Sequence, residues 1–339
     1  MSTYQIFQPG EIDSDLAGEC LARQGLQTDR KVSMLPYGAK GSVGFETRRL
    51  YFALALTEDG IFNSTPELRG SAVEDVKGLL PVTRIFSFGK CNVACPYCKR
   101  DCQFIGDDGL PIIATPVDIL DLFRLAEGAH ARGETVRFSG GDPVVFPRET
   151  LAIADYMNCR HSAKVSIAHN GSGPAWVKKL APFLSSAAID LKGPAEKMGG
   201  IMGVSQKMGE NIFRLSQETQ RAVTEAGALL DVRTPIFGDT TLGDMYRLAE
   251  VVSKNDPRRT FWTWRMYKPV EGCDWSVPEK EKVFGMMEEI SRTFSNQWIG
   301  VRAKWERGGM VYFLGGQMVN QDEAEAVSDR EVSGSGNKL

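Results

Sequence analysis

Val82-Thr83-Arg84-Ile85-Phe86-Ser87-Phe88-Gly89-Lys90-Cys91-Asn92-Val93-Ala94-Cys95-Pro96-Tyr97-Cys98 is the stretch from which the rest of the chain can be read. Its first half is an apolar run with β-branched and aromatic residues, the pattern of a buried strand, and it stops at Gly89. Its second half puts three of the chain's seven cysteines within eight residues as CxxxCxxC, with the aromatic Tyr97 directly before the third. A buried strand running straight into a cysteine loop places the reactive groups at the strand's C-terminal end.

Downstream, strands and helices alternate. Strands are expected over residues 135–139, 164–168, 187–191, 228–234 and 260–267. Helices are expected from Thr115 as N-cap with Pro116 at the first helical position to Gly133, and over 148–157, 174–184, 210–226, 242–253 and 278–294. With the strand at Val82 this makes six βα units, hence a parallel sheet with right-handed crossovers. Six units are too few for a closed eight-stranded barrel, so the fold expected is α/β, a partial (β/α)6 TIM-like barrel. The expected division is an N-terminal extension over 1–83, the barrel over 84–305, a C-terminal strand region over 306–320 and a disordered tail over 321–339. The extension reads as β-rich, with strand signals at 32–35 and 50–56 and a polar connection from Asn63 to Gly70. Further strands are expected at 298–303 and 310–314.

Composition narrows the class. The chain has 339 residues, 42% hydrophobic and 24% charged, with a net charge of −3, which argues against a polyanion-binding surface and leaves no nucleic-acid partner evident. No apolar run reaches the roughly 18–20 residues of a membrane span, so no membrane partner is expected either. Met1–Gln5 lacks a basic segment followed by an apolar one, and the protein is expected in the cytoplasm. In a reducing compartment, clustered cysteines bind metal or do redox chemistry more often than they pair. The three histidines, His130, His161 and His169, are a thin supply for a histidine-based metal site.

Three thiolates suit three irons of a [4Fe–4S] cube with the fourth iron open. The competing reading is a structural zinc site in a non-enzymatic module, with Cys102 as a fourth ligand. A second motif, Gly140-Gly141-Asp142-Pro143, follows the next expected strand. Two glycines there let backbone approach a ligand closely, and the acidic side chain beyond them suits a ligand ammonium group.

Together these motifs resemble the radical S-adenosylmethionine (SAM) superfamily over about residues 82–302. The resemblance implies that Cys91, Cys95 and Cys98 are the metal ligands and catalytic centre. It implies [4Fe–4S] and SAM as cofactors, cleavage of SAM to a 5′-deoxyadenosyl radical, and hydrogen abstraction from a substrate. It places Tyr97 at the adenine and Gly140, Gly141, Asp142 and Pro143 at the SAM amino group. Ala168-His169-Asn170-Gly171 and Asp190-Leu191-Lys192 are similar to motifs of the glycyl-radical-enzyme activating branch. That likeness puts Asn170 near SAM, Lys192 at the methionine carboxylate and Asp190 facing a cation or the sulfonium, with Arg233 as another carboxylate contact. Ala168 departs from the branch pattern by lacking an acidic side chain. His169, Arg265 and Lys268 are candidate substrate contacts. A one-electron reductant such as flavodoxin or ferredoxin is the implied protein partner. The substrate expected is a small molecule, such as a nucleotide, sugar or natural-product intermediate. The alternative is a glycine on a partner enzyme, against which the 83-residue extension argues.

Overall fold

Chain order and strand order coincide through the middle of the molecule. The structure, a computed structural model, describes residues 9–34, 46–47, 55–57, 60–62, 82–98, 114–256, 260–270, 272–294, 301–304, 310–314 and 316–318. The early strands are β1 (Lys31–Met34), β2 (Glu46–Thr47), β3 (Ala55–Thr57), β4 (Gly60–Phe62), β5 (Val82–Phe88) and β6 (Thr115–Asp118). They are followed by β7 (Glu134–Gly140), β8 (Val165–His169), β9 (Leu184–Asp190), β10 (Leu229–Ile236) and β11 (Thr260–Met266). The last three are β12 (Val301–Lys304), β13 (Met310–Leu314) and β14 (Gln317–Met318). The helices are α1 (Ser14–Arg23), α2 (Ile119–Ala131), α3 (Pro147–His161), α4 (Pro174–Leu180), α5 (Ala195–Met202), α6 (Gln206–Glu225), α7 (Leu242–Val252) and α8 (Lys280–Thr293).

Strands β5, β7, β8, β9, β10, β11 and β12 lie side by side in that order, every neighbouring pair parallel. Antiparallel β13 and β14 continue the sheet at one end, and β1 and β6 at the other. Right-handed crossovers that always advance the same way put every connecting helix on one face. This is the partial barrel expected, with the parallel run carried one strand further by β12.

Side chains alternate across that wall. Phe86, Phe88, Val136, Phe138, Ile167, Ile189, Leu230, Val232, Trp262 and Trp264 join one core with helix residues such as Ile153, Val223, Leu248 and Met287. The residues between them are small or polar and also buried: Ser87, Arg137, Ser166, Ser186, Asp231, Arg233 and Thr263. The strands therefore turn an apolar face to the helices and a polar face to the concave side.

One local expectation is corrected and two helices are added. The helix after the cysteine loop does not start at Thr115. Residues 115–118 form β6, paired with β1 from Lys31↔Asp118 to Met34↔Thr115, and the N-cap is Asp118. Inter-strand pairing at a long separation outweighs the local Thr-Pro signal. Residues 14–23, within the segment read as β-rich, form α1, whose N-cap Asp13 accepts from Leu16 N–H at 3.0 Å. α1 buries Ala17, Cys20 and Leu21 and its Arg23 meets Asp155 of α3 at 2.8 Å. Residues 195–202, between the strand expected at 187–191 and the helix expected at 210–226, form α5. A Cβ on Gly209 of α6 would lie 2.2 Å from Gly199 N, so glycine is what lets the two helices touch. The connection at 63–70, Cys102, the strand start at 298–300 and the tail at 321–339 lie outside the described residues.

Candidate functional site

The end of β7 grips the cysteine loop. Gly141 N–H donates to Phe88 O and Asp142 N–H to Lys90 O, each at 2.7 Å, so the loop leaves β5 along the Gly-Gly turn. Gly140 has φ +109, and a Cβ on Gly141 would lie 2.1 Å from Lys90 O. From the opposite side, Gly203 after α5 has φ +65, and a Cβ there would lie 2.0 Å from Ala94 O. Cys95 is buried against Met198, Met202 and Ile212, and Cys98 N–H closes the turn onto Cys95 O at 2.9 Å. Cys91, Cys95 and Cys98 are all outside any disulfide. Because the atoms in the way at Gly141, Lys90 O, Lys90 C and Cys91 N, are all main-chain, Gly141→Ala is expected to displace the loop. Iron bound per chain after anaerobic reconstitution should fall at least severalfold while far-UV circular dichroism stays native.

Asp142 is enclosed. It is 2% exposed, and its carboxylate meets three nitrogens: Val144 N–H at 2.9 Å, Asn170 N–H at 2.7 Å and His169 Nδ1 at 2.7 Å. Gly173 N–H donates to His169 Nε2 at 2.9 Å, so Nδ1 is the nitrogen that donates to Asp142. His169 is itself buried and edge-on to Trp176. In this geometry Asp142 ties β7 to the end of β8 and orients Asn170, and His169 is internal rather than placed to touch a substrate. The Asn170 side chain reaches the cysteine loop, with Nδ2 2.7 Å from Asn92 Oδ1.

At the end of β9, Lys192 Nζ donates to Asp190 Oδ2 at 2.6 Å and to the Tyr97 hydroxyl at 3.1 Å. Burial works against the Lys192 charge, but Asp190 beside it outweighs this and holds its pKa well above the usual lysine range. Burial, only partly offset by Lys192, also pushes the Tyr97 hydroxyl well up. Both groups bind their protons more tightly folded than unfolded. Their stabilising contribution is therefore complete below the ordinary values of 10.0 and 10.5 and is lost as pH climbs beyond them. The denaturant midpoint is expected to drop above about pH 10, and less steeply in a Tyr97→Phe, Lys192→Met double variant.

Tyr97 also packs on Phe237 and Trp275, with ring centroids 5.2 and 5.6 Å away. Lys192, Phe237 and Trp275, with Lys197, Asp239 and Asp244, line a cavity of about 310 Å³ at the ends of β9 and β10. Sequence reasoning misses Phe237, whose one signal is an aromatic residue directly past the end of β10. Arg233 is buried and donates through Nε to Asp231 Oδ2 at 2.8 Å, with the Thr263 hydroxyl also on Asp231. It thus enters an ion pair inside the polar face, directly across from Asp190 in the β9–β10 register. Arg265, two residues beyond Thr263 on β11, is exposed, and Lys268 is half-buried past the strand end.

The cysteine loop, Gly140–Pro143, Asn170, Asp190 and Lys192 thus meet at the C-terminal ends of four adjacent parallel strands. Residues 85–250 match the family model described as Radical SAM superfamily. Among curated proteins, the probable GTP 3',8-cyclase of Methanothermobacter marburgensis is 25% identical over 180 residues. That match covers 53% of this chain and 50% of the relative, so the chain spans about half the length of the curated protein it matches. A radical SAM methyltransferase from Sphaerobacter thermophilus, in its crystal structure, is 15% identical with a TM-score of 0.49 over 67% of each chain. A domain of a pyruvate-formate lyase-activating enzyme from Bacteroides vulgatus is 17% identical, with a TM-score of 0.38 over 50% of this chain and 99% of that one.

Proposed function

With residues 85–250 placing this enzyme in the radical SAM superfamily, we propose that it cleaves SAM reductively and abstracts hydrogen from a small molecule. The superfamily's cofactors are a [4Fe–4S] cluster and SAM, and the residues present fit both. Three thiols in CxxxCxxC, none in a disulfide, form the donor set, and a loop surface cleared of Cβ atoms at Gly140–Gly141 adjoins them. When bound, the pair supplies one-electron cleavage of SAM to methionine and a 5′-deoxyadenosyl radical.

The chain's own residues bind and orient. Cys91, Cys95 and Cys98 would hold the cluster. The Gly140–Gly141 backbone leaves room for a ligand against the loop. Asp142 and His169 fix the Asn170 backbone, and Asn170 presents its amide beside Cys91. Lys192, kept charged by Asp190, offers a cation for a ligand carboxylate while bracing Tyr97. Arg265 and Lys268, at the rim of β11, are the basic groups available to an anionic substrate. The observation that carries the reading is the convergence of these four strand ends on one cysteine loop.

A small-molecule substrate draws support from the curated relative, whose name is that of a GTP cyclase, and a nucleoside triphosphate is the first candidate. The cysteine usage favours a reducing cytoplasm with flavodoxin or ferredoxin as electron donor, and among the described residues no helix is long and apolar enough to cross a membrane. The test is anaerobic reconstitution, reduction, and measurement of 5′-deoxyadenosine with and without nucleoside triphosphates. Stimulation by a nucleotide with a new nucleotide product supports the proposal. Stimulation only by a glycyl-radical enzyme, with a protein-borne EPR doublet, makes the chain an activase. Zinc without charge-transfer absorbance near ~400 nm makes it a zinc module.

A further inference from the structure

The two ends of the cysteine loop are held by different means. Cys95 sits in an apolar cluster with Met198, Met202 and Ile212, and Cys98 is packed against it. Cys91 lies outside that cluster and is half-buried. What stands beside it is a ring of hydrogen bonds. Asn170 Nδ2 donates to Asn92 Oδ1 at 2.7 Å, Asn92 Nδ2 donates to Ser172 Oγ at 2.8 Å, and Ser172 N–H donates to Asn170 Oδ1 at 3.0 Å. Asn170 Nδ2 is also 4.0 Å from Cys91 Sγ. The far side of the ring is rigid. Asn170 is 4% exposed with its N–H on Asp142, and Gly171 O accepts from Thr219 Oγ1 of α6 at 2.9 Å.

We infer that Asn92, together with Ser172, is a positioning residue that fixes Cys91 for the cluster and aims the Asn170 amide at its sulfur. This rests on the cluster-binding reading of the loop. The argument is one of constraint. Apolar packing immobilises two of the three ligands, and the third is joined to the fixed end of β8 by the side chain of the residue that follows it. Asn92 is exposed and buries no apolar surface of note, so its amide bonds are what it contributes. An N–H directed at a ligating sulfur favours the more negative, reduced cluster, so the same ring tunes the ligand as well as placing it.

The test uses the reconstituted full chain and reads iron release to a chelator together with the EPR line shape of the reduced cluster recorded without SAM. Asn92→Ala is expected to release iron about tenfold faster and to shift the line shape. Asn170→Ala should do the same, and the double variant should be no worse than the more affected single one, because both remove one ring. Asn92→Asp keeps an oxygen for Asn170 and should recover much of the retention. The unfolding midpoint of the iron-free chain should not move in Asn92→Ala. Wild-type retention and line shape in Asn92→Ala, or additive losses in the double variant, would overturn the inference alone. A wild-type chain that takes up no four-iron cluster would sink it together with the site reading.

Discussion

Cys95→Ser is expected to abolish cluster binding outright and with it all 5′-deoxyadenosine formation. The serine hydroxyl is a far poorer ligand for iron than a thiolate, and the position has no slack. Cys95 is 7% exposed, and its neighbour Ala94 is pressed against Gly203. A replacement oxygen therefore cannot be carried toward the cluster by moving the backbone. The anaerobically reconstituted variant should be colourless, with iron near background, where wild type is brown. The fold should survive, since the substitution removes no core volume beyond sulfur, so the denaturant midpoint without iron should stay near wild type. A brown Cys95→Ser protein would show that the cluster has other ligands. Cys91→Ser and Cys98→Ser should behave alike, with Cys91→Ser the most prone to retain residual iron because its end of the loop is the less packed.

The second large effect is on stability. Asp142→Ala removes the acceptor of two backbone N–H groups and of the His169 ring in a place that is 2% exposed. Leaving buried donors unpaired costs about 1–3 kcal/mol each, partly relieved by relaxation, so a loss of about 3–5 kcal/mol is expected. It should appear as a lower denaturant midpoint at unchanged slope. Asp142→Asn keeps one oxygen and should cost less. Cluster retention should fall in both, since Asn170 loses its hold. The family resemblance gives this acidic position to the SAM ammonium group. If Asp142→Ala unfolds like wild type and loses only SAM affinity, then the carboxylate serves as a ligand rather than as a brace.

Much of this was legible because it is local. CxxxCxxC after an apolar strand, Gly-Gly after the next, and repeated βα periodicity are patterns within a dozen residues, and each sits where expected. What escaped depends on partners distant in sequence. Thr115-Pro116 reads as a helix start until β1 pairs with it. His169 reads as a candidate substrate contact at a strand end, and only the fold shows it held between Asp142 and Gly173. α1 is different. Its Asp13 cap and its Ala17, Cys20 and Leu21 spacing are local signals, present in the sequence inside the segment read as β-rich.

The two-faced barrel strands carry a consequence for how such a protein diversifies. Phe138, Ile167, Val232 and Trp262 hold the helices, while Arg137, Ser166, Asp231 and Thr263 alternate with them on the same strands. Residues that hold the helices and residues that face the hollow are thus interleaved one by one. What the hollow accepts can be rewritten at inward positions without renegotiating how the wall stands, provided that paired groups such as Asp231 and Arg233 change together.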